Sequence, residues 1–195
     1  MKKLIVLMMM ITLSLSLVAC GGDKNPTAPT PDTTPSSSDA DTSKPDDLIA
    51  NEANGLSFGL PADIKYVQTD EDNGAMIYAN DERTAVVTVG VKTETTLTNA
   101  DVTEDALLEA LSAGGGLSDA TLDNSATVEQ SGGIAVVGFG KGTMSNGTVM
   151  NSAVQFFFPA DGGSFIVISY LYVVDAGSSM DANIERVMAT VTTVE

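Results

Sequence analysis

Phe165-Ile166-Val167-Ile168-Ser169-Tyr170-Leu171-Tyr172-Val173-Val174 decides the architecture of this chain. On a strand, successive side chains point to opposite faces. One face then carries Phe165, Val167, Ser169, Leu171 and Val173, and the other Ile166, Ile168, Tyr170, Tyr172 and Val174. Both faces are apolar, so both must be covered. Flanking turns are short, which makes the neighbouring strands antiparallel. The expectation is an α+β fold in which helices lie on each side of an antiparallel sheet, a three-layer α/β/α sandwich.

On either side of this stretch, turn signals separate further apolar runs. Asn73-Gly74 divides 64–69 from 75–79, and Asp81-Glu82 precedes 84–92. Ser131-Gly132-Gly133 precedes 134–144, Asn146-Gly147 leads into 148–158, and Asp161-Gly162-Gly163 leads into 164–174. Two meanders are predicted. Asp101 followed by Glu104 has the spacing of a capping box and predicts a helix to about Ala113, with Leu107, Leu108 and Leu111 on its apolar face and Gly114-Gly115-Gly116 as its stop. Ser178 and Asp181 open a second helix, along which Met180, Ile184, Val187 and Val191 form one stripe.

The first fifty residues have a different character. Lys2 and Lys3 precede an apolar run from Leu4 to Val18 that is shorter than the about 20 residues of a membrane-spanning helix. It has the layout of a secretory h-region. The run ends in Leu17-Val18-Ala19-Cys20, and Cys20 is the only cysteine of the chain. This tetrapeptide resembles the lipobox of bacterial lipoproteins. The resemblance implies a signal peptide over 1–19, cleavage before Cys20, and a diacylglycerol on the Cys20 thiol. Two acyl chains give stable membrane anchoring where one does not. Gly21-Gly22 follows in place of an Asp retention signal, which looks like a surface lipoprotein of a Gram-positive cell. In a Gram-negative host the protein would face the periplasm or sit in the outer membrane.

Residues 21–50 hold five of the seven prolines, nine Ser or Thr, six Asp and no aromatic residue. Such a composition cannot bury enough apolar surface to offset its ordering entropy. With Cys20 it reads as a disordered tether, over 20–50. The globular part is expected from 51 to 195, where all ten aromatic residues lie.

Composition excludes several chemistries. There is no His, so Ser-His-Asp and Cys-His catalysis and His-containing zinc sites fall away, and a single Cys forms no internal disulfide. The net charge of −17 argues against nucleic acid as a partner. From residue 51 onward five basic residues stand against twenty acidic ones. Anionic headgroups repel such a body, so it is expected to project from the membrane; it could attract cations or basic partners, and the preferred reading of the charge is solvation and solubility.

The segment Gly55-Leu56-Ser57-Phe58-Gly59-Leu60-Pro61 resembles the short opening strand and Pro turn of PsbP-like domains. The order that follows is similar too: a hairpin, a helix near Asp101, a long meander, then a C-terminal helix. That superfamily includes a photosystem II extrinsic protein, a nuclear-import factor that binds Ran, and bacterial lipoproteins of unknown role. The resemblance implies a binding or assembly module without catalysis. It carries over no functional residue, because it contains no diagnostic motif.

Four candidate sites stand beside the lipidation site at Cys20. Gly138, Gly140 and Gly142 alternate along one strand and leave one face bare, either as a groove for a ligand or, as preferred here, as a bed for a closely packed helix. Asp70, Glu71, Asp72 and Asp81 surround the first hairpin and could share a hard cation such as Ca²⁺, although a solvated turn accounts for them as well. Two carboxylates across a sugar cleft would support glycoside hydrolysis. Ser/Lys catalysis would draw on Lys65, Lys92 or Lys141, none of which lies in a motif. No catalytic, cofactor or metal residue is assigned. The leading expectation is a surface lipoprotein with a non-catalytic, partner-binding domain. Its rivals are a lipid-anchored, carboxylate-dependent hydrolase or solute-binding protein, and a Ca²⁺-binding envelope module.

Overall fold

The computed structural model describes residues 48–173 and 179–194. The export segment, the lipobox with Cys20 and nearly all of the tether lie outside the described residues, as do Val174 and Ser178.

Two antiparallel meanders meet in one sheet. Strands β3 (Lys65–Thr69), β4 (Met76–Ala79) and β5 (Ala85–Val89) form the first. Strands β7 (Ser118–Gln130), β8 (Gly133–Thr143), β9 (Val149–Pro159) and β10 (Ser164–Val173) form the second. They join where β10 pairs with β5, and the order is β3-β4-β5-β10-β9-β8-β7, with the two-residue strand β6 (Thr93–Glu94) also on β10. The stretch that decided the architecture is therefore the middle strand. A second sheet holds β1 (Leu48–Ala53), β2 (Leu56–Pro61) and β11 (Thr192–Thr193), in the order β1-β2-β11. Among the described residues two α-helices accompany the sheets, α1 (Glu104–Gly115) and α2 (Ser179–Ala189).

Both faces of β10 are covered, as its alternation demands. Ile166, Ile168, Tyr170 and Tyr172 enter the largest core with Met180, Ile184, Val187 and Met188 of α2 and Leu56, Phe58 and Leu60 of β2. On the opposite face Phe165 packs with Leu107 and Leu111 of α1, while Leu171 packs with Leu117 at that helix's exit. Fully burying one such side chain contributes about 1.5–3 kcal/mol, and these clusters supply most of the fold's driving force. The layer beside α2 is not purely helical: the three-stranded sheet shares it.

The structure departs from the sequence reading in four places. Leu48, Ile49 and Ala50 belong to β1 and pair with Pro61, Leu60 and Gly59, so the tether ends earlier than residue 50. β7 was not expected. Its Ser118–Gln130 sequence is polar, and backbone pairing with β8 holds it in place of an apolar face. Asp101 does not open α1. It closes a 3₁₀ turn over Asn99–Asp101, where its carboxylate accepts from the Thr98 N–H and hydroxyl, both at 2.8 Å. Thr103 is the N-cap, accepting from Ala106 N at 3.3 Å, and Gly116, left-handed at φ 59°, ends the helix. The stripe on α2 is buried as expected, but Val191 lies beyond the helix end, just before β11. Among the described residues no helix is long and apolar enough to cross a membrane.

Candidate functional site

The alternating glycines of β8 seat a helix. A Cβ on Gly138 would lie 3.3 Å from Leu107 Cβ and 3.1 Å from Leu122 Cδ1. On Gly140 it would fall 1.9 Å from the Thr121 carbonyl oxygen and 3.2 Å from Leu111 Cδ1, and on Gly142 it would fall 2.8 Å from Leu117 Cβ. The space that these residues leave is filled by α1, its exit and β7, and no groove remains there.

The acidic residues of the first hairpin do not converge. Asp70 spends its carboxylate on its own turn: Oδ1 accepts from Asp72 N and Oδ2 from Asn73 Nδ2, both at 3.0 Å. Asp81 lies in the turn at the opposite end of β4. Among the described residues no three Asp, Glu, His or Cys side chains are grouped as a metal site. The lysines are dispersed as well. Lys65 is exposed on β3, Lys141 is exposed on β8, and Lys92 pairs with Asp161 at 3.6 Å on the surface. Exposed pairs of this kind contribute about 0–1 kcal/mol.

The site that the sequence did not indicate is a cleft of about 590 Å³ at one end of the large sheet. The β7–β8 turn, the β9–β10 turn and the segment before the 3₁₀ turn meet there. Gly132 and Gly162 hold these turns in left-handed conformations, φ 82° and 72°. Ala160 N donates to Gly132 O, and Thr95 N to Gly163 O, both at 2.8 Å, which fastens the loops to one another. Leu97, Ile134, Phe158 and Pro159 give the walls an apolar character. Thr98, Asn99 and Gln130 are polar, and Glu129 is the one carboxylate in the lining. Ser164 also lines the cleft; its Oγ is buried and has no hydrogen-bond partner among the described residues. The two Gly-Gly turns were legible in the sequence. Their convergence was not, because the pairing of the meander sets it.

Beneath this end of the sheet runs a polar network. Gln155 Nε2 donates to Gln130 Oε1 at 2.9 Å and to Met188 O at 3.2 Å, and Gln130 Nε2 donates to Met188 O at 2.9 Å. The last turn of α2 is thereby tied to β7 and β9. Burial pushes the Tyr170 hydroxyl, which donates into this network, above the ordinary tyrosine range.

Cyanobacterial PsbP (CyanoP) from Synechocystis sp. PCC 6803 superposes with a TM-score of 0.57 at 14% identity, covering 81% of this chain and 98% of that one. This chain has a PsbP-like fold. The Ran-binding protein Mog1p of Saccharomyces cerevisiae gives a TM-score of 0.51 at 14% identity, over 76% of this chain and 97% of its own. LpqN of Mycobacterium tuberculosis, described as involved in cell envelope biogenesis, gives 0.50 at 13% identity, over 72% and 83%. No family model matches the sequence, and no curated protein matches it significantly. The superpositions establish the PsbP-like, α+β fold, and identities this low transfer no site.

Proposed function

We propose that this chain is a lipid-anchored protein of the bacterial cell envelope whose PsbP-like domain binds a partner without catalysing a reaction. The observation that carries the reading is the position of its one thiol. Cys20 closes the apolar export segment directly after Leu17-Val18-Ala19, where acylation would use it. The domain, which begins with β1 at Leu48 and is preceded by its tether, is held at the extracytoplasmic face of the membrane by lipid alone, in a Gram-positive envelope. We read its layers as a three-layer α/β/α sandwich in which β1-β2-β11 shares the layer of α2. LpqN, with its role in envelope biogenesis, supports the location. The cleft supports a binding role over a hydrolytic one. A two-carboxylate glycosidase needs a pair of acids across the site, and Glu129 is the single carboxylate in this lining.

Intact-mass spectrometry of the protein from host membranes tests the anchor. The expected species begins at Cys20 and carries the mass of a diacylglycerol. Replacement Cys20→Ser should release the protein from membranes or leave its precursor uncut. A processed, membrane-bound Cys20→Ser protein overturns the reading.

A further inference from the structure

Among the described residues β7 pairs with β8 alone, so its outer side is an open sheet edge. Its first half is irregular, with register shifts between Ser118 and Thr121 and between Leu122 and Asn124. From Asn124 to Gln130 the register against β8 is unbroken. These residues include no Lys, Arg or Pro, and Glu129 is their single charged side chain. Edge strands are normally blunted by such residues, by bulges or by being short. The opposite edge has these protections. β3 is five residues long, opens on Lys65, and is shifted in register between Tyr66 and Gln68.

The open edge also has two chemically different sides. Asn124, Ala126 and Val128 oppose Phe139, Val137 and Ala135, which belong to or pack on the core beneath α2. Ser125, Thr127 and Glu129 oppose Gly138, Val136 and Ile134, on the face that carries α1. Residues 126–129 are exposed on both faces, Val128 at 40%. A strand added here sets every second side chain beside Ala126 and Val128. The side chains between them lie beside Thr127 and Glu129. Cross-strand pairing favours apolar residues in the first set and Lys or Arg in the second, and it disfavours like charges. A second copy of this chain would bring together two edges bearing Glu129, on bodies with twenty acidic against five basic residues from residue 51 onward. That charge selects a basic partner over self-association.

We propose that residues 124–130 of β7 bind an extended peptide segment with alternating apolar and basic side chains, which adds to the large sheet as a further strand. Main-chain hydrogen bonds supply the affinity of such a pairing, and the alternation supplies its specificity. The proposal names the partner class for the binding role above and rests on that reading; the anchor does not enter it.

Hydrogen exchange tests it on the mature protein, purified in detergent from the membranes of cells that express the full chain. The probe is an end-capped heptapeptide alternating valine and lysine, and the control alternates valine and glutamate. The lysine peptide should slow exchange of the outward-pointing amides of 124–130, those not already bonded to β8, and leave 65–69 unchanged. Glu129→Lys should weaken its binding by about tenfold or more, the behaviour of a close charge pair across an interface. Thr127→Pro should abolish binding, and because proline there can also disturb β7, the exposed Glu129→Lys change is the deciding variant. Equal binding of the glutamate peptide overturns the proposal, and so does protection confined to another element. Protection of the outward-pointing amides of this stretch before any peptide is added, by the tether or in a dimer seen by sedimentation, overturns it too. A negative result with Cys20 found acylated refutes the edge assignment alone, and bound peptide with Cys20 unmodified refutes the anchor alone.

Discussion

The Tyr170 hydroxyl donates to Gln155 Oε1 at 3.0 Å, with both residues shut off from solvent at 1% and 0% exposure. β10 and β9 are thus joined side chain to side chain in the middle of the sheet. Gln155 passes the connection on to Met188 O at the end of α2. A buried polar group is costly when it loses its partner. Gln155→Leu should therefore destabilise the domain by about 2–3 kcal/mol, and Tyr170→Phe by about 1–2 kcal/mol. The double variant should be less destabilised than the sum by about 1 kcal/mol, since it removes both ends of one bond. Urea unfolding of the four proteins checks the cycle, and strict additivity would show that the contact carries no coupling.

Alkali should unfold the domain through its tyrosines. Burial raises Tyr170, burial and then Tyr66 raise Tyr78, and burial and then Asp181 raise Tyr172. A raised acid stays protonated in the folded state while the unfolded chain releases its proton near pH ~10. Stability from these groups is fully present below that value and is lost as pH rises beyond it. Ultraviolet titration of tyrosinate should show a late phase that coincides with loss of secondary structure by circular dichroism. Full ionisation with the fold intact would contradict this.

The glycines of β8 should differ in tolerance. Gly140→Ala drives a Cβ into the Thr121 backbone at 1.9 Å, and backbone in a paired strand has little room to retreat. A loss of about 3 kcal/mol, the upper end of ordinary overpacking, is expected. Gly138→Ala meets the leucine side chains Leu122 and Leu107 at 3.1 and 3.3 Å, which can shift by tenths of an ångström, and should lose about 1 kcal/mol or less. Thermal melts of the two variants give the order directly.

Acid should loosen the turn ahead of α1. Hydrogen bonds from the Thr98 N–H, then from its hydroxyl, hold the Asp101 carboxyl below its ordinary value. A lowered carboxyl contributes stability above its unfolded pKa, and that contribution is lost as pH falls through the folded value. Carboxyl-detected NMR should find Asp101 titrating at lower pH than a free aspartate, with the Thr98 amide exchanging faster as it protonates. Asp101→Asn should remove this pH dependence of the Thr98 amide while leaving α1 formed, since Thr103 caps that helix.

Much of the fold was legible where apolar pattern and turn chemistry agreed. The alternation of 165–174 placed β10 between two covered faces, and the stripe Met180, Ile184, Val187 found the buried side of α2. β7 was missed because Ala126-Thr127-Val128-Glu129 has no buried face to leave a mark in the sequence. Asp101 misled because its carboxylate turns back to Thr98, three residues away in a separate turn. The cleft was missed because two Gly-Gly turns announce themselves singly, while the pairing of β7 with β8 and of β9 with β10 brings them together.

The α+β class, the covered faces of the central strand, the acidic charge and the absence of histidine chemistry could all be read from the residues in order. Those properties reside in composition and in periods of two and 3.6 residues, which local sequence records. Only the tertiary fold placed the turns of the two meanders around one cleft, set the hairpin carboxylates apart, and made a polar thirteen-residue strand close one side of the sheet with its outer edge open. These depend on contacts between residues far apart in the chain, where backbone pairing and close packing, rather than any residue's own preference, set the outcome.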